Sequence, residues 1–336
     1  MKNAHIVIPD LFLPQQLADY ACGDLRVPAL EKLLVRAHVS PLNIASPEAW
    51  LCKYFGVDGV GIAPLTLRAD GLLPGDAYWL RADPVGISMQ RDQMVLRGDI
   101  DLSEAEAAQL CSSLNSQFAG DGLRFVAPHP QRWYLQLEQA PDMETHPLPQ
   151  VVGADMHAHL PYGGDALRWH KVLNEIQMLF YEHAVNQTRE VDGKPAVNGV
   201  WLWGGGKYQS GLLKPFSRTV GDSELAYAFA QAAGIPVEAG ISHDSLAEQG
   251  DLLLVNESLR LALQKADIEQ WRSALQQFEN TQVQPLLAAL AAGQIEKITL
   301  DVPGENSSRR YVLTRGSWWK FWRVSKPLLH YALTSP

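Results

Sequence analysis

The sequence has few cysteines, no long apolar run and no surplus of positive charge. Its 336 residues include Cys22, Cys52 and Cys111, odd in number and far apart. Such spacing supplies neither a disulfide framework nor a zinc motif, and it fits a reducing, cytoplasmic setting. No stretch approaches the roughly 20 apolar residues of a membrane span. The apolar run after Lys2 is short and meets Pro9-Asp10, which is not the pattern of a secretory leader. Internal repeats and low-complexity segments are absent. A formal net charge of −9 argues against nucleic-acid binding by the surface as a whole. What is present is ordinary globular composition, 46% hydrophobic and 19% charged, enough for one large α/β domain over residues 1–336.

Read in order, His5 to Ile8 is a buried first strand. Residues 28–37 and 47–55 read as short helices, the second capped by Ser46 with Pro47 at its first position. Ala77 to Leu80 is a strand leading to Arg81-Ala82-Asp83-Pro84; Val85 to Met89 and Gln93 to Leu96 are strands around Arg91-Asp92. Four charges beside buried strand ends must be paired or face a cavity, which makes Arg81 and Asp83 either structural ions or ligand contacts. Residues 103–118 form a helix in which Ser103 and Glu106 make a capping box. Leu123 to Val126 pairs with Arg132 to Leu137, and Arg132 either points at a ligand or stacks on Trp133 or Tyr134. The proline-rich 141–149 is a linker or crossover.

Further on, Leu225 to Ala233 is a helix capped by Asp222 or Ser223 and ended by Gly234. Leu252 to Val255, four apolar residues in a row, suits a central parallel strand. Residues 267–291 form a long amphipathic helix capped by Asp267 and ending near Gly293; Ile295 to Leu300 and Tyr311 to Leu313 are closing strands. This succession predicts a three-layer α/β fold, a mixed but mostly parallel central sheet with helices on both faces.

The densest group of large polar and aromatic side chains lies in residues 164–207. Trp169, Leu173, Ile176 and Phe180 mark one helix face, widened by Leu167, Val172 and Leu179, with His183 one turn on. The helix frays near Ala184, because Asn186, Gln187 and Thr188 favour turns. After Asp192-Gly193 and Lys194-Pro195, Val197 to Trp203 alternates as a short buried strand, and Gly204-Gly205-Gly206 follows as a loop beside Lys207. Three glycines let a backbone approach a ligand and turn N–H groups toward it, so a phosphate or carboxylate suits the place. The plain alternative is a flexible turn, with Trp201 and Trp203 in the core and His183 a helix-end residue. As a binding site, Arg189 and Lys207 supply charge, Asn186 and Asn198 neutral hydrogen bonds, and His183 a dependence on pH. Asp155-x-His157-x-His159 is the metal candidate by residue type: on an extended segment positions two apart share a side, leaving an open catalytic position. The neighbouring glycines and Pro161 point instead to an irregular surface loop.

His183-Ala-Val-Asn186-x-x-Arg189 followed by Gly193-Lys194-Pro195-Ala196-x-Asn198-x-x-Trp201-x-Trp203-Gly204-x-Gly206 resembles a segment of the archaeal-type cofactor-independent phosphoglycerate mutases, members of the alkaline-phosphatase superfamily. Tyr78-Trp-Leu-Arg-Ala-Asp-Pro84, Gln131-Arg-Trp-Tyr134 and Asn174-Glu-Ile-Gln-Met178 make the whole chain similar to a related bacterial group, the RpfE-type regulatory proteins. The resemblance implies an alkaline-phosphatase-like fold and a site for a small phosphorylated acid over about residues 151–215. It also implies a metal-binding aspartate after the first strand, where Asp10 stands, although Leu11 follows it where the mutases usually have glycine. A late Asp-His pair binds the second metal in the mutases; here the order is His243-Asp244, and the role is not carried over.

Residues 305–326 carry Arg309, Arg310, Arg315, Lys320, Arg323 and Lys326 among Trp318, Trp319, Phe321 and Trp322. Such a tail (about residues 305–330) binds nucleic acid or a membrane surface, or its tryptophans cover the sheet while its cations solvate the rim. Three functions follow. The first is a degenerate mutase-like regulator that binds a small anionic metabolite. The second is an active mutase or phosphatase-like enzyme, which needs divalent metal (Mn, Zn or Mg) and a serine nucleophile. The third is a regulator that acts through the tail on nucleic acid or membrane. No cofactor is fixed by the sequence itself.

Overall fold

The computed structural model describes residues 3–90, 92–241, 250–304, 308–318 and 322–333. Arg91, the His243-Asp244 pair, Glu305, and Trp319, Lys320 and Phe321 of the tail lie outside the described residues. Contacts divide the chain into two units, Met1–Gly56 with Gly211–Pro336, and Val57–Ser210. β1 (Asn3–Val7) and β2 (His38–Pro41) begin the first unit. The second unit holds β3 (Tyr78–Gln90), β4 (Gln93–Arg97), β5 (Arg124–His129), β6 (Arg132–Leu137) and β7 (Gly199–Lys207). The chain returns to the first with β8 (Arg218–Gly221), β9 (Val237–Glu238), β10 (Leu252–Val255), β11 (Lys297–Val302) and β12 (Arg309–Thr314).

In the first unit the strands lie in the order β2-β12-β11-β1-β10-β8-β9. β1 is parallel to β10 and β11, β8 to β10 and β9; only β12 runs antiparallel, to β11 and β2. This is the mixed, mostly parallel α/β sheet that the sequence predicts. A strand with neighbours on both edges and helices on both faces has no wet side, so β10 is apolar throughout. Ala4, Ile6, Leu252, Leu254, Ile298 and Leu300 turn one face toward Trp271, Leu275, Phe278 and Leu290 of the late helices. The other face meets the Pro47–Phe55 helix: His5 contacts Trp50 and Tyr54, and Phe55 contacts Phe229 of the Glu224–Ala233 helix.

Caps fall where the side chains allow them. Ser46, Ser103, Ser223 and Asp267 each accept a backbone N–H at a helix start, and Glu106 completes the capping box. Ser223, not Asp222, caps its helix, which leaves Asp222 for another role. The long helix is interrupted: Ile268–Phe278 and Gln284–Ala292 are joined by a π-helical turn over Glu279–Val283. Pro285 has no N–H to continue the regular ladder, and the Glu279 carboxylate accepts the Ala29 and Leu30 N–H groups at 2.6 and 2.8 Å.

The second unit has an antiparallel sheet, so the parallel expectation applies to the first unit alone. β3 is one strand of 13 residues rather than two short ones, and Arg81 and Asp83 sit inside it. Pro84 is tolerated because β6 pairs with β3 only as far as Arg81 and β4 only from Gly86, leaving β7 as its neighbour. β7 likewise runs through Gly204, Gly205 and Gly206; they are not a loop after the strand. A Cβ on Gly205 would strike the Tyr78 hydroxyl and come within 2.7 Å of Leu80, and one on Gly206 within 2.8 Å of the Gly61 Cα. The Ala166–Tyr181 helix buries Trp169, Leu173, Ile176 and Phe180, the face read from the sequence. It ends at Tyr181 with a turn at Glu182, close to the expected point, but residues 184–191 are not the expected turns. A second helix, Ala184–Val191, follows at once, its first turn capped by His183 Nδ1, which accepts the Val185 N–H at 3.1 Å. Among the described residues no helix is long and apolar enough to cross a membrane.

Candidate functional site

In an open parallel sheet, ligands collect beyond the carboxyl ends of the strands, where neighbouring connections diverge. In the first unit Asp10 follows β1, Asp222 follows β8, and Asn256 and Glu257 follow β10. Asp10 takes a left-handed backbone, φ 56°, which aspartate tolerates better than most residues. The Glu257 N–H donates to Asp222 Oδ1 at 2.6 Å, and the Ser258 hydroxyl donates to Asp222 Oδ2. Ser223 Oγ lies 3.4 Å from Glu257 Oε1. Into this group comes Arg260, three residues past Glu257 on the Ser258–Gln264 helix. Its Nη1 is 2.6 Å and its Nη2 3.4 Å from the two oxygens of Glu48, and its Nε is 3.5 Å from Glu257 Oε2. The Arg260 and Glu48 side chains are only 8% and 1% exposed. Asn256 Oδ1 is buried without a hydrogen-bond partner.

Burial, together with Glu48, Asp222 and Asp10, pushes the Glu257 carboxyl up to about 7 against the opposing pull of Arg260. Burial works against the charge of Arg260, but Glu257, Glu48 and Asp10 outweigh it and keep the guanidinium protonated. Glu257, Glu48 and Asp10 thus share one fixed cation, and Asp222 adds a fourth carboxyl group beside Glu257. The sequence reading marks only Asp10 in this group. Glu257 stands two residues after the apolar run Leu252 to Val255, which is its local signal; Glu48 and Asp222 have none of this kind.

The ligand residues read from the sequence fall into separate places in the second unit. Arg81, Asp83, Trp203 and Arg132 come together. Arg81 pairs with Asp83 at 2.7 Å, Trp203 Nε1 donates to Asp83 Oδ2 at 2.7 Å, and the guanidinium lies over the rings of Tyr134 and Trp203. Tyr134 and Arg132 both bond Asp70, at 2.6 and 2.8 Å. Gly204 adjoins this cluster, since a Cβ there would stand 3.8 Å from Arg81 Cγ. His183, Asn186 and Arg189 lie elsewhere. His183 Nε2 pairs with Ser113 Oγ at 2.9 Å. Asn186 donates to the Phe180 and Val197 carbonyls and accepts the Val197 N–H. Arg189 donates to the Pro195 and Asp101 carbonyls and to Glu106. Asn198 bonds both backbone groups of Ile87, and Trp201 Nε1 donates to the His146 carbonyl. Gly206 is half-buried and Lys207 exposed at the end of β7. The single helix–turn–strand constellation is therefore not formed: Arg189 and Asn186 are buried and serve main-chain carbonyls.

The histidine motif also differs from its expectation. Met156–His159 is a 3-10 helix, not an extended segment, and Asp155 caps it by accepting the His157 N–H at 3.3 Å. His157 Nδ1 stays 3.3 Å from Asp155 Oδ1, but His159 Nδ1 turns to the Asp155 carbonyl oxygen instead of its carboxylate. Among the described residues no group of three or more His, Cys, Asp or Glu side chains is placed to hold an ion, so neither that motif nor Asp10 forms such a group. The described part of the tail folds back on the Pro28–Arg36 helix. Lys32 and Arg36 lie over the Trp318 ring at 4.3 and 5.0 Å, and Arg323 donates to the Val35 carbonyl. Arg309 donates to the Tyr331 carbonyl, while Trp322 is 67% exposed.

Fold and site together define a mixed α/β protein with a charged cluster at the carboxyl ends of a mostly parallel sheet. No family model matches the chain. Its sequence is distantly related to archaeal-type cofactor-independent phosphoglycerate mutases. It is 28% identical over 158 residues to 2,3-bisphosphoglycerate-independent phosphoglycerate mutase 2 of Methanothermobacter thermautotrophicus, covering 42% of this chain and 39% of that one. It is 25% identical over 249 residues to the 2,3-bisphosphoglycerate-independent phosphoglycerate mutase of Methanosarcina acetivorans, covering 67% and 62%. The chain thus spans less than two thirds of the length of either relative. A cofactor-independent phosphoglycerate mutase from Thermoplasma acidophilum superposes with a TM-score of 0.46 at 14% identity, covering 100% of this chain and 96% of that one.

Proposed function

We propose that this chain is a phosphoglycerate-mutase-like protein that binds a small phosphorylated or carboxylated anion and acts as a regulator of the RpfE type, without transferring a phosphoryl group. One observation carries the reading: Arg260 is seated among the strand-end carboxyl groups, 2.6 Å from Glu48. A metal-dependent mutase needs such carboxylates for its ions, which stabilise charge on the phosphoryl group in transit. A guanidinium already in contact with them competes for that role and supplies no open coordination position. The distant similarity to mutases supports a phosphorylated acid as the ligand class. Of the ligand residues read from the sequence, Lys207 is the exposed one, at the end of β7, and it is assigned to the anion.

The test is an assay of purified protein for phosphoglycerate mutase activity with Mn²⁺, Zn²⁺ or Mg²⁺, beside thermal-shift binding of 3-phosphoglycerate. A thermal shift without turnover is expected, weakened by Lys207→Ala. Metal-dependent turnover would replace this reading with the enzyme reading, which the excess of four carboxyl groups over one guanidinium favours. No shift and no turnover would overturn both.

A further inference from the structure

The second unit brings His159, from the motif read in the sequence, against His146, which lies outside that motif. His146 and His159 have ring centroids 5.1 Å apart, with the ring planes at 85°. His146 Nδ1 lies 3.1 Å from the His159 carbonyl oxygen, and His159 Nδ1 lies 3.0 Å from the Asp155 carbonyl oxygen. A carbonyl oxygen can only accept, so both Nδ1 atoms carry the proton. In the neutral ring this tautomer leaves the lone pair on Nε2, the atom through which such an imidazole ligates a metal. With a Zn–N bond of about 2.0–2.1 Å, two imidazoles on one tetrahedral ion have centroids about 5 Å apart.

The surrounding backbone holds this pair in place. Glu144 and Tyr162 exchange backbone hydrogen bonds of 2.8 and 3.2 Å, which joins the arm before His146 to the arm after His159. The Tyr162 hydroxyl donates to Glu144 Oε2 at 2.5 Å, and its ring stands 5.9 Å from that of His146. Trp201 Nε1 fixes the His146 carbonyl at 2.8 Å. Both histidines are half-buried.

We propose that His146 and His159 form a binding site for a late first-row divalent cation such as Zn²⁺, Ni²⁺ or Cu²⁺, with water in the remaining positions. The ion clasps residues 144–146 to residues 159–162. It takes no part in phosphoryl chemistry, and the proposal stands whether or not the anion reading above does. Imidazole selects these ions over Mg²⁺, which prefers oxygen.

Untagged protein titrated with Zn²⁺ or Ni²⁺ in a calorimeter tests this, with thermal unfolding followed in parallel. One equivalent should bind and raise the Tm, and His146→Gln or His159→Gln should weaken binding roughly tenfold or more. His157→Gln and His170→Gln should leave binding unchanged, and Mg²⁺ should not compete. Circular dichroism establishes that each variant is folded. Equal binding by the His146→Gln and His159→Gln variants would overturn the proposal, as would an absence of binding by the parent protein.

Discussion

Arg260 Nη1 stands 2.6 Å from Glu48 Oε1, a pair joined across 212 residues of sequence and closed off from water. Removing one member leaves the other as an uncompensated buried charge. Arg260→Met should cost on the order of 3–5 kcal/mol in urea unfolding, and the double variant Arg260→Met/Glu48→Gln should recover part of the loss. A loss below about 1 kcal/mol in the single variant would show that the pair is not held as described.

Glu257 gives this region a pH dependence of known sign. Its folded carboxyl is pushed up to about 7 from an ordinary 4.5, so the folded state binds the extra proton between those values. Stability at this site is full below about pH 4.5 and is lost as pH rises through about 7, a swing on the order of 3 kcal/mol. Glu257→Gln keeps the neutral form at every pH. Unfolding measured from pH 5 to 8 should therefore be flatter in the variant than in the parent.

Asp301 acts in the opposite direction. Burial would raise its carboxyl, but hydrogen bonds from Arg310, His5 and Trp50 outweigh it and hold the carboxyl at about 2, below an ordinary 3.8. Its contribution is present above about pH 3.8 and is lost as pH falls through about 2. Asp301→Asn should lower stability at pH 7 by about 3 kcal/mol and reduce the slope of acid unfolding below pH 4.

Gly205 tests whether the glycines of β7 are there for packing. A Cβ at this position meets the Tyr78 hydroxyl and comes within 2.7 Å of Leu80 Cδ2. Gly205→Ala should cost about 1–3 kcal/mol, and Tyr78→Phe should relieve part of the cost by removing the oxygen. Full stability in Gly205→Ala would mean that the strand has room it does not show.

Arg189 is predicted to act on stability. Its side chain is 2% exposed and ties the Pro195 and Asp101 carbonyls to Glu106. Arg189→Met should destabilise the protein by on the order of 3 kcal/mol in chemical unfolding.

Much of the fold is legible where a local pattern has a single solution. Leu252 to Val255 announces a buried parallel strand because four apolar residues in a row leave no wet face. Ser103 and Glu106 announce a helix start because each satisfies the other's backbone N–H. Legibility fails where distant chain decides. Pro84 reads as a break, yet the gap between β6 and β4 lets β3 pass through it. The glycines of β7 read as a cradle, but Gly61, Leu80 and Tyr78 are what approach them. Arg189 and Asn186 have the composition of a binding site, and only tertiary structure shows main-chain carbonyls as their partners. Glu48 and Arg260 each look like an ordinary helix charge, and nothing near either one in sequence names the other.

The position of β1 sets the order in which this protein can be made. Ala4 pairs with Leu252 on one side and Ile298 on the other, so β1 is synthesised long before either of its partners. Residues 57–210, continuous in sequence, are complete before those partners are made. During synthesis the finished second unit therefore trails an apolar N-terminal segment with two open edges, the kind of segment that chaperones shield and that aggregates when they do not.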